Sequence, residues 1–187
     1  MASTSRPSVS ASAMSYLLLV MVRDYHEKGK AGKAQLEEMG AQLGARLAER
    51  YTKDRPRFTE HTEVVLWTCK EFWQETFGKR VDNLKTNNRG VYVLTDVAFK
   101  WMSGLRPFGG DTEEESWALM MAHADSYGAF AGGVVRGALE SLGLRCSVSQ
   151  EPTSQSAATA TSIEEFKPLG CKFTVRLAAG LGFGGVA

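Results

Sequence analysis

His123, Asp125 and Ser126 are the side chains of this sequence whose types could work together as base, orienting acid and nucleophile. Such a triad is a matter of geometry in three dimensions, and neighbours in sequence do not supply it. His26 and His61 stand apart from His123 and from every cysteine, so no zinc-ligand spacing is present. Asp111, Glu113, Glu114 and Glu115 are clustered, yet they lack the alternating ligands and closing glutamate of a calcium loop. No GxSxG, HExxH or Walker lysine occurs. Gly128, Gly132 and Gly133 resemble a phosphate-binding loop in composition, but they lie inside a helical pattern instead of between a strand and a helix. Cys69, Cys146 and Cys171 fall on apolar faces and read as core. The chemistry therefore points away from catalysis: no catalytic, metal-binding or cofactor-binding residue is expected.

Composition narrows the class further. A chain of 187 residues with a net charge of +1 fits one domain, long enough to bury about 70% of the surface its unfolded form exposes. Near-neutral charge argues against nucleic acid as a partner. Three cysteines without a CxxC pair fit a reducing compartment better than a disulfide framework.

The elements are organised around residues 123–143, a helix with apolar residues at spacings of three and four, interrupted by Gly128, Gly132, Gly133 and Gly137. Each interior glycine costs about 1 kcal/mol relative to alanine, so a sheet or another helix must approach that backbone closely. Arg136 and Glu140, one turn apart, are placed to pair. Upstream, Met14, Leu17, Leu18, Met21, Val22 and Tyr25 define one face of a first helix, capped by Ser8 or Ser10 and ended by Gly29. Leu19 and Val20 make that helix apolar on more than one side, which fits a central helix or one shared with a second subunit. The apolar run is shorter than the roughly 20 residues of a membrane span. It is followed by Arg23 and Asp24 instead of the small-residue cleavage site of a leader.

A second helix over 33–51 carries Leu36, Met39, Leu43 and Leu47 on one face, with Gly40 and Gly44 positioned for a close neighbour. The short glycine-containing turn before it suggests an antiparallel pair. Residues 52–58, with Lys53, Arg55 and Arg57 around Asp54, read as a solvated loop. Thr59 is the expected N-cap of a third helix whose buried side is Val65, Leu66, Cys69, Phe72, Trp73, Thr76 and Phe77, stopped by Gly78. Residues 82–90 have turn chemistry, 91–95 reads as an internal strand, and a second strand is expected through Phe99 and Trp101. Residues 103–116 read as a solvated loop or a helix start. Alternation at 144–149 and 171–177 gives another hairpin, its connection lengthened by the low-complexity segment 151–167. The expected fold class is α+β: helices with two hairpins flanking a glycine-rich helix. Residues 1–9 are expected to be disordered, 10–178 to form the single domain, and 179–187 to be a flexible glycine-rich tail.

Several motifs carry a resemblance. Cys69-Lys-Glu-Phe-Trp73, Phe77-Gly-Lys79, Val81-Asp-Asn-Leu-Lys-Thr-Asn87, Arg89-Gly-Val-Tyr-Val-Leu-Thr-Asp96, Gly133-Val-Val-Arg-Gly-Ala-Leu139 and Cys171-Lys-Phe173 resemble the Bet-three-like subunits of the TRAPP vesicle-tethering complex, closest to the subunit six type. The resemblance runs from about residue 9 to 177, and the block 82–96 is its most specific part. It implies a small twisted antiparallel sheet packed against helices, with the first two helices docking on another family member. The expected interface is then Met14, Leu17, Leu18, Met21, Val22, Tyr25, Leu36, Met39, Leu43 and Leu47. It further implies a non-catalytic structural subunit of a complex that tethers transport vesicles and promotes nucleotide exchange on a Rab GTPase in ER-to-Golgi and Golgi traffic. The expected location is cytoplasmic, peripheral at ER and Golgi membranes through the complex. A paralogue carries an acylated cysteine in the loop after its second helix, whereas 52–58 here contains none. The rival reading is a domain that binds a small apolar ligand, an acyl chain or cofactor, around the glycine-rich helix.

Overall fold

The structure, a computed structural model, describes residues 10–154 and 167–178. The expected disordered start, the glycine-rich tail and most of the low-complexity segment lie outside the described residues. Helix α1 (Ala11–His26) turns directly into α2 (Gly29–Thr52). Gly29 takes the left-handed φ of +60° that glycine adopts without strain. A Cβ on Gly32 would lie 1.8 Å from the Tyr25 carbonyl oxygen, so this corner closes backbone against backbone.

Residues 61–77 form a helical rod of three parts: α3 (His61–Trp67), a π-helical turn (Thr68–Phe72) and α4 (Trp73–Phe77). Gly78 ends it at φ +83°. The wide turn leaves the Cys69 carbonyl to accept a hydrogen bond from the Val81 amide at 3.1 Å. One extra residue in a turn also shifts the buried stripe. Val64 and Val65 are inside, Leu66, expected inside, is exposed, and Thr76 is half-buried. Glu60 is the N-cap in place of Thr59, whose amide donates to the Glu63 carboxylate at 3.2 Å. The preceding loop is solvated as expected, with Lys53, Asp54, Pro56 and Arg57 exposed, and half-buried Arg55 makes two hydrogen bonds to Glu71, at 2.8 and 3.0 Å.

Strands β1 (Asn83–Thr86), β2 (Val91–Asp96), β3 (Cys146–Thr153) and β4 (Gly170–Leu177) form one antiparallel sheet in the order β1-β2-β4-β3. The two hairpins are present, but the partner of β2 precedes it. Residues 83–86, read as turn, are a strand, and the turn is confined to 87–90. There the Asn87 side chain accepts from the Arg89 and Val91 amides, and Asn88 and Gly90 take positive φ. The strand expected through Phe99 and Trp101 is a 3-10 turn, Lys100–Met102, because the Phe99 amide is drawn to the Leu169 carbonyl at 2.8 Å. Strand β3 extends through Glu151 to Thr153. Its Pro152 is accommodated on an edge strand, where a missing ladder donor is tolerated.

Helix α5 (Glu113–Ser141) starts well before His123 at a capping box of Thr112 and Glu115. It lies between α2 and the sheet, which is why residues 126–135 are buried all round. Close backbone approach explains its glycines. A Cβ at Gly133 would lie 2.0 Å from the Glu37 carbonyl oxygen, and one at Gly137 would lie 1.9 Å from that of Ala41. At Gly40 and Gly44 of α2 the added atoms would lie 2.1 and 2.0 Å from the carbonyl oxygens of Phe130 and Val134. Gly128 and Gly132 face the other way, against the Gln150 side chain of β3. Arg136 pairs with Glu140, as expected, and also with Glu37 and Glu38 of α2, at 3.1 to 3.2 Å.

The motif 82–96 closes the rod onto the sheet. Asp96 is fully buried and accepts hydrogen bonds from Trp73 Nε1 at 3.0 Å and the Ala98 amide at 3.2 Å, while Lys79 Nζ stands 2.8 Å away. Lys79 also holds Asp82 at 2.6 Å, and Asp82 accepts from the Val97 amide at 2.8 Å. Burial opposes the charge on Asp82, but the Lys79 and Val97 hydrogen bonds outweigh it and lower its pKa. Trp73 then stacks edge-on to Phe173 at 5.2 Å, with Phe77 and Phe99 alongside.

Two outcomes test this architecture. Gly137→Ala should lose about 3 kcal/mol in urea unfolding, because backbone must give way. Gly132→Ala, whose Cβ meets a side-chain tip at 3.0 Å, should stay within about 1 kcal/mol of wild type. Lys79→Met should destabilise by about 2 kcal/mol at pH 7, since it leaves Asp96 buried without its cation. The part of that difference due to Asp82 is present above the unfolded carboxylate value of 3.8 and is lost as pH falls through its lower folded value. Denaturation of both proteins at pH 7 and pH 3 should show the gap narrowing.

Candidate docking surface

Helix α1 is apolar around its circumference, and its two sides have different fates. Leu18 and Val22 are buried in the chain's own core, as is Leu36 of α2. Met14, Met21, Tyr25, Met39, Leu43 and Leu47 are half-buried against that core. Of the ten residues expected at an interface, three thus have no area left for a partner, and Leu17, 60% exposed, is the most open. Beside it are residues the face-counting left out: Tyr16 at 69%, Leu19 at 51% and Val20 at 40% exposure. Leu19 and Val20 were legible as the second apolar side of the helix, and Tyr16, three and four residues before them, shares that side, a spacing that could have found it. No side chain caps the helix at Ser10.

What fixes α1 in place includes the groups that looked catalytic. His26 and His123, far apart in the chain, are not isolated from each other: their rings lie 4.0 Å apart. His26 Nδ1 is 2.8 Å from Ser126 Oγ, and Asp125 pairs with Lys33 of α2 at 2.5 Å. His123 Nδ1 is 3.1 Å from the Leu119 carbonyl oxygen, and its ring meets the Phe108 ring edge-on at 5.0 Å. Asp125, Ser126 and His123 therefore turn to three different partners and form no relay. The cluster clips α1 and α2 to α5. Burial, reinforced by the neighbouring His123, lowers the His26 pKa against the weaker pull of Asp125 and Glu27.

The remaining chemistry is equally structural. Cys69 and Cys171 are buried and Cys146 half-buried, all as free thiols, and burial pushes each up to about 12. Among the described residues no group of three or more acidic, histidine or cysteine side chains could hold a metal, and no helix is long and apolar enough to cross a membrane. The exposed apolar side chains of α1 offer a face to bind against.

Comparison with known proteins gives the family. The family model described as transport protein particle (TRAPP) component matches residues 14–178. Trafficking protein particle complex subunit 6b of Danio rerio is 39% identical over 118 residues, covering 63% of this chain and 69% of that protein. The human subunit 6B is 37% identical over 123 residues, covering 66% and 72%. Among solved structures, a trafficking protein particle complex subunit 3 from Naegleria fowleri, covalently bound to palmitic acid, superposes with a TM-score of 0.61 at 16% identity, covering 89% of this chain and 93% of that one. At that identity the likeness is one of fold.

The histidine clip makes stability depend on pH. The folded His26 value lies below 6.5, so between the two values the unfolded chain binds more protons and stability falls as pH drops. Thermal melts should show the wild type losing stability from pH 7.5 to 5. His26→Gln should show a shallower decline.

Proposed function

Because the chain belongs to the transport protein particle component family, with its likeness to the subunit six type, we propose that it serves as a non-catalytic structural subunit of a TRAPP-type complex. Family membership gives it a part in vesicle trafficking. In this reading it docks through α1 onto a second Bet-three-like subunit. The assembled complex then tethers vesicles and promotes Rab nucleotide exchange in ER-to-Golgi and Golgi traffic, and the chain sits in the cytoplasm, reaching the membrane through its partners. The observation that carries this is the outer face of α1: Tyr16, Leu17, Leu19 and Val20 are large, apolar and exposed on one helix. Burying a side chain of that kind contributes about 1.5 to 3 kcal/mol. A small set of them can therefore anchor an interface.

The rival acyl-binding reading has less behind it. The solved structure named above is covalently bound to palmitic acid, but the loop 52–58 has no cysteine here, Cys69 and Cys171 sit in the core, and Cys146 is half-buried against it. A covalent acyl group is not part of the proposal.

Co-expression with a second Bet-three-like subunit should yield a stoichiometric pair. Leu17→Asp with Val20→Asp should weaken pairing by about 100-fold or more, with the isolated chain melting within about 2 °C of wild type. Leu18→Asp would instead unfold the chain, since Leu18 is core. A chain that stays monomeric in the presence of every family member, or pairs equally well with the double change, would sink the proposal.

A further inference from the structure

The sheet packs on α5 with one face, and its other face is open. Register and burial place Lys85 of β1, Val93 of β2, Thr174 of β4 and Ser149 of β3 in one row across that face, with Val91, Arg176 and Ser147 in the next. Arg89 lies in the turn leading into β2, and Arg145 directly precedes β3, its carbonyl accepting from the Ala178 amide at 2.9 Å. Lys85, Arg89, Arg145 and Arg176 are all exposed. The acid on these strands, Glu151, is toward the other end of the sheet and is paired with Lys172.

Among the described residues, the side chains of Lys85, Arg89 and Arg145 have neither an ion-pair nor a hydrogen-bond partner. Arg176 donates only to a hydroxyl, Ser149 Oγ, at 3.3 Å. Lys33, Arg55, Lys79 and Arg136, by contrast, each meet carboxylates. A lysine on β1 has a reason of its own, since charge on an edge strand deters edge-to-edge pairing. That reason does not extend to Arg176, which is on an inner strand, or to Arg89 and Arg145, which lie outside the strands. Like charges held together without an anion repel one another, so the patch is complementary to an anionic surface.

A guanidinium suits carboxylates and phosphates alike, and shape decides between their carriers. Sheets twist by about 20 to 25° per strand, so cations on a turn, an inner strand and an edge lie on a saddle, which an extended chain follows and a planar layer of headgroups does not. None of the large exposed apolar side chains among the described residues is on these strands, so the face has no anchor for a bilayer. Nucleic acid calls for a basic excess, and the chain carries a net charge of +1. Neighbouring strands are about 4.8 Å apart, which puts β3 about 14 Å from β1 across the four-stranded order. An extended segment of about five residues reaches that far.

We propose that the open face of the sheet binds an extended acidic polypeptide segment, its carboxylates lying across Lys85, Arg89, Arg145 and Arg176. The segment sits on the side of the sheet away from α5, to which α1 is clipped. It neither competes with docking through α1 nor depends on it.

The test titrates the full chain into fluorescein-labelled hexaglutamate and reads anisotropy at 50 and 300 mM NaCl. The peptide should bind at the lower salt and bind about tenfold or more weakly at the higher. Arg145→Glu with Arg176→Glu, and separately Lys85→Glu with Arg89→Glu, should each weaken binding by about tenfold or more. Arg46→Glu with Arg50→Glu, the same change of net charge on exposed positions of α2, should leave it within about twofold of wild type. Amide resonances of 85–91, 145–149 and 174–176 should shift when the peptide is added to the wild type, a reading that needs no variant. Absence of binding at 50 mM, equal weakening by the α2 change, or shifts confined to other elements overturns the proposal. Tighter binding to vesicles of phosphatidylcholine with about 30% phosphatidylserine, or to a thymidine oligonucleotide, abolished by the same sheet reversals, assigns the face to lipid or nucleic acid and overturns it too. Each of these results leaves docking through α1 standing.

Discussion

The contact on which the molecule depends is backbone against backbone: α2 and α5 meet at Gly40 and Gly44 on one side and Gly133 and Gly137 on the other. Each glycine contributes carbonyl-distance access that any larger residue would block, and each weakens its own helix by about 1 kcal/mol. The penalty is offset because the approach lets α5 be buried on opposite sides at once, with α2 on one and the sheet on the other. Arg136, bound to Glu37, Glu38 and Glu140, fixes the register at which the glycines coincide. A slip along either helix would set Cβ atoms against carbonyl oxygens. The close pair thus acts as a specificity device as well as a source of packing energy.

With α5 placed, the positions of the rest follow. Gly128 and Gly132 admit β3, whose pairing with β4 brings β2 and β1 into the same sheet. The rod 61–77 cannot reach that sheet by apolar contact alone without leaving Asp96 buried beneath it. Trp73, Lys79 and the Ala98 amide satisfy that carboxylate from three directions. The most recognisable part of the sequence, 82–96 with Trp73 and Lys79, is accordingly an internal joint. Residues of this kind hold the fold together from inside, and for the same reason they say little about what the surface touches.

This explains which features could be read from the chain. Period and glycine spacing revealed α1, α2 and α5, an apolar run revealed β2, and alternation revealed β3 and β4, since burial on a regular element leaves a regular trace. The π turn at 68–72 left none: its stabilisation comes from Val81 reaching the Cys69 carbonyl, a contact made only after folding. Strand β1 was hidden because Asn83, Lys85 and Thr86 are exposed residues of an edge strand. Their polar types look like loop. Phe99 and Trp101 looked like strand because aromatic residues around a 3-10 turn, Phe99 buried before it and Trp101 half-buried within it, have the same composition as those in a sheet. His26 and His123 seemed unrelated because nothing in their spacing reports a tertiary contact between α1 and α5.

The side of α1 left exposed is largely not the stripe that the periodicity picks out, for a physical reason. A helix with apolar residues on every side offers no internal criterion for which stripe faces the core. Counting by threes and fours finds the longest stripe, which here is the one closed by α2 and α5. Leu18 and Val22 already satisfy the demand of the domain for burial. Nothing in the interior requires Tyr16, Leu17, Leu19 or Val20, and their exposure carries a solvation penalty the fold could have avoided with polar residues at no loss of packing. An apolar side that the core does not use, on a helix pinned to α5 by the polar contact at His26, is the feature from which the proposed docking is argued.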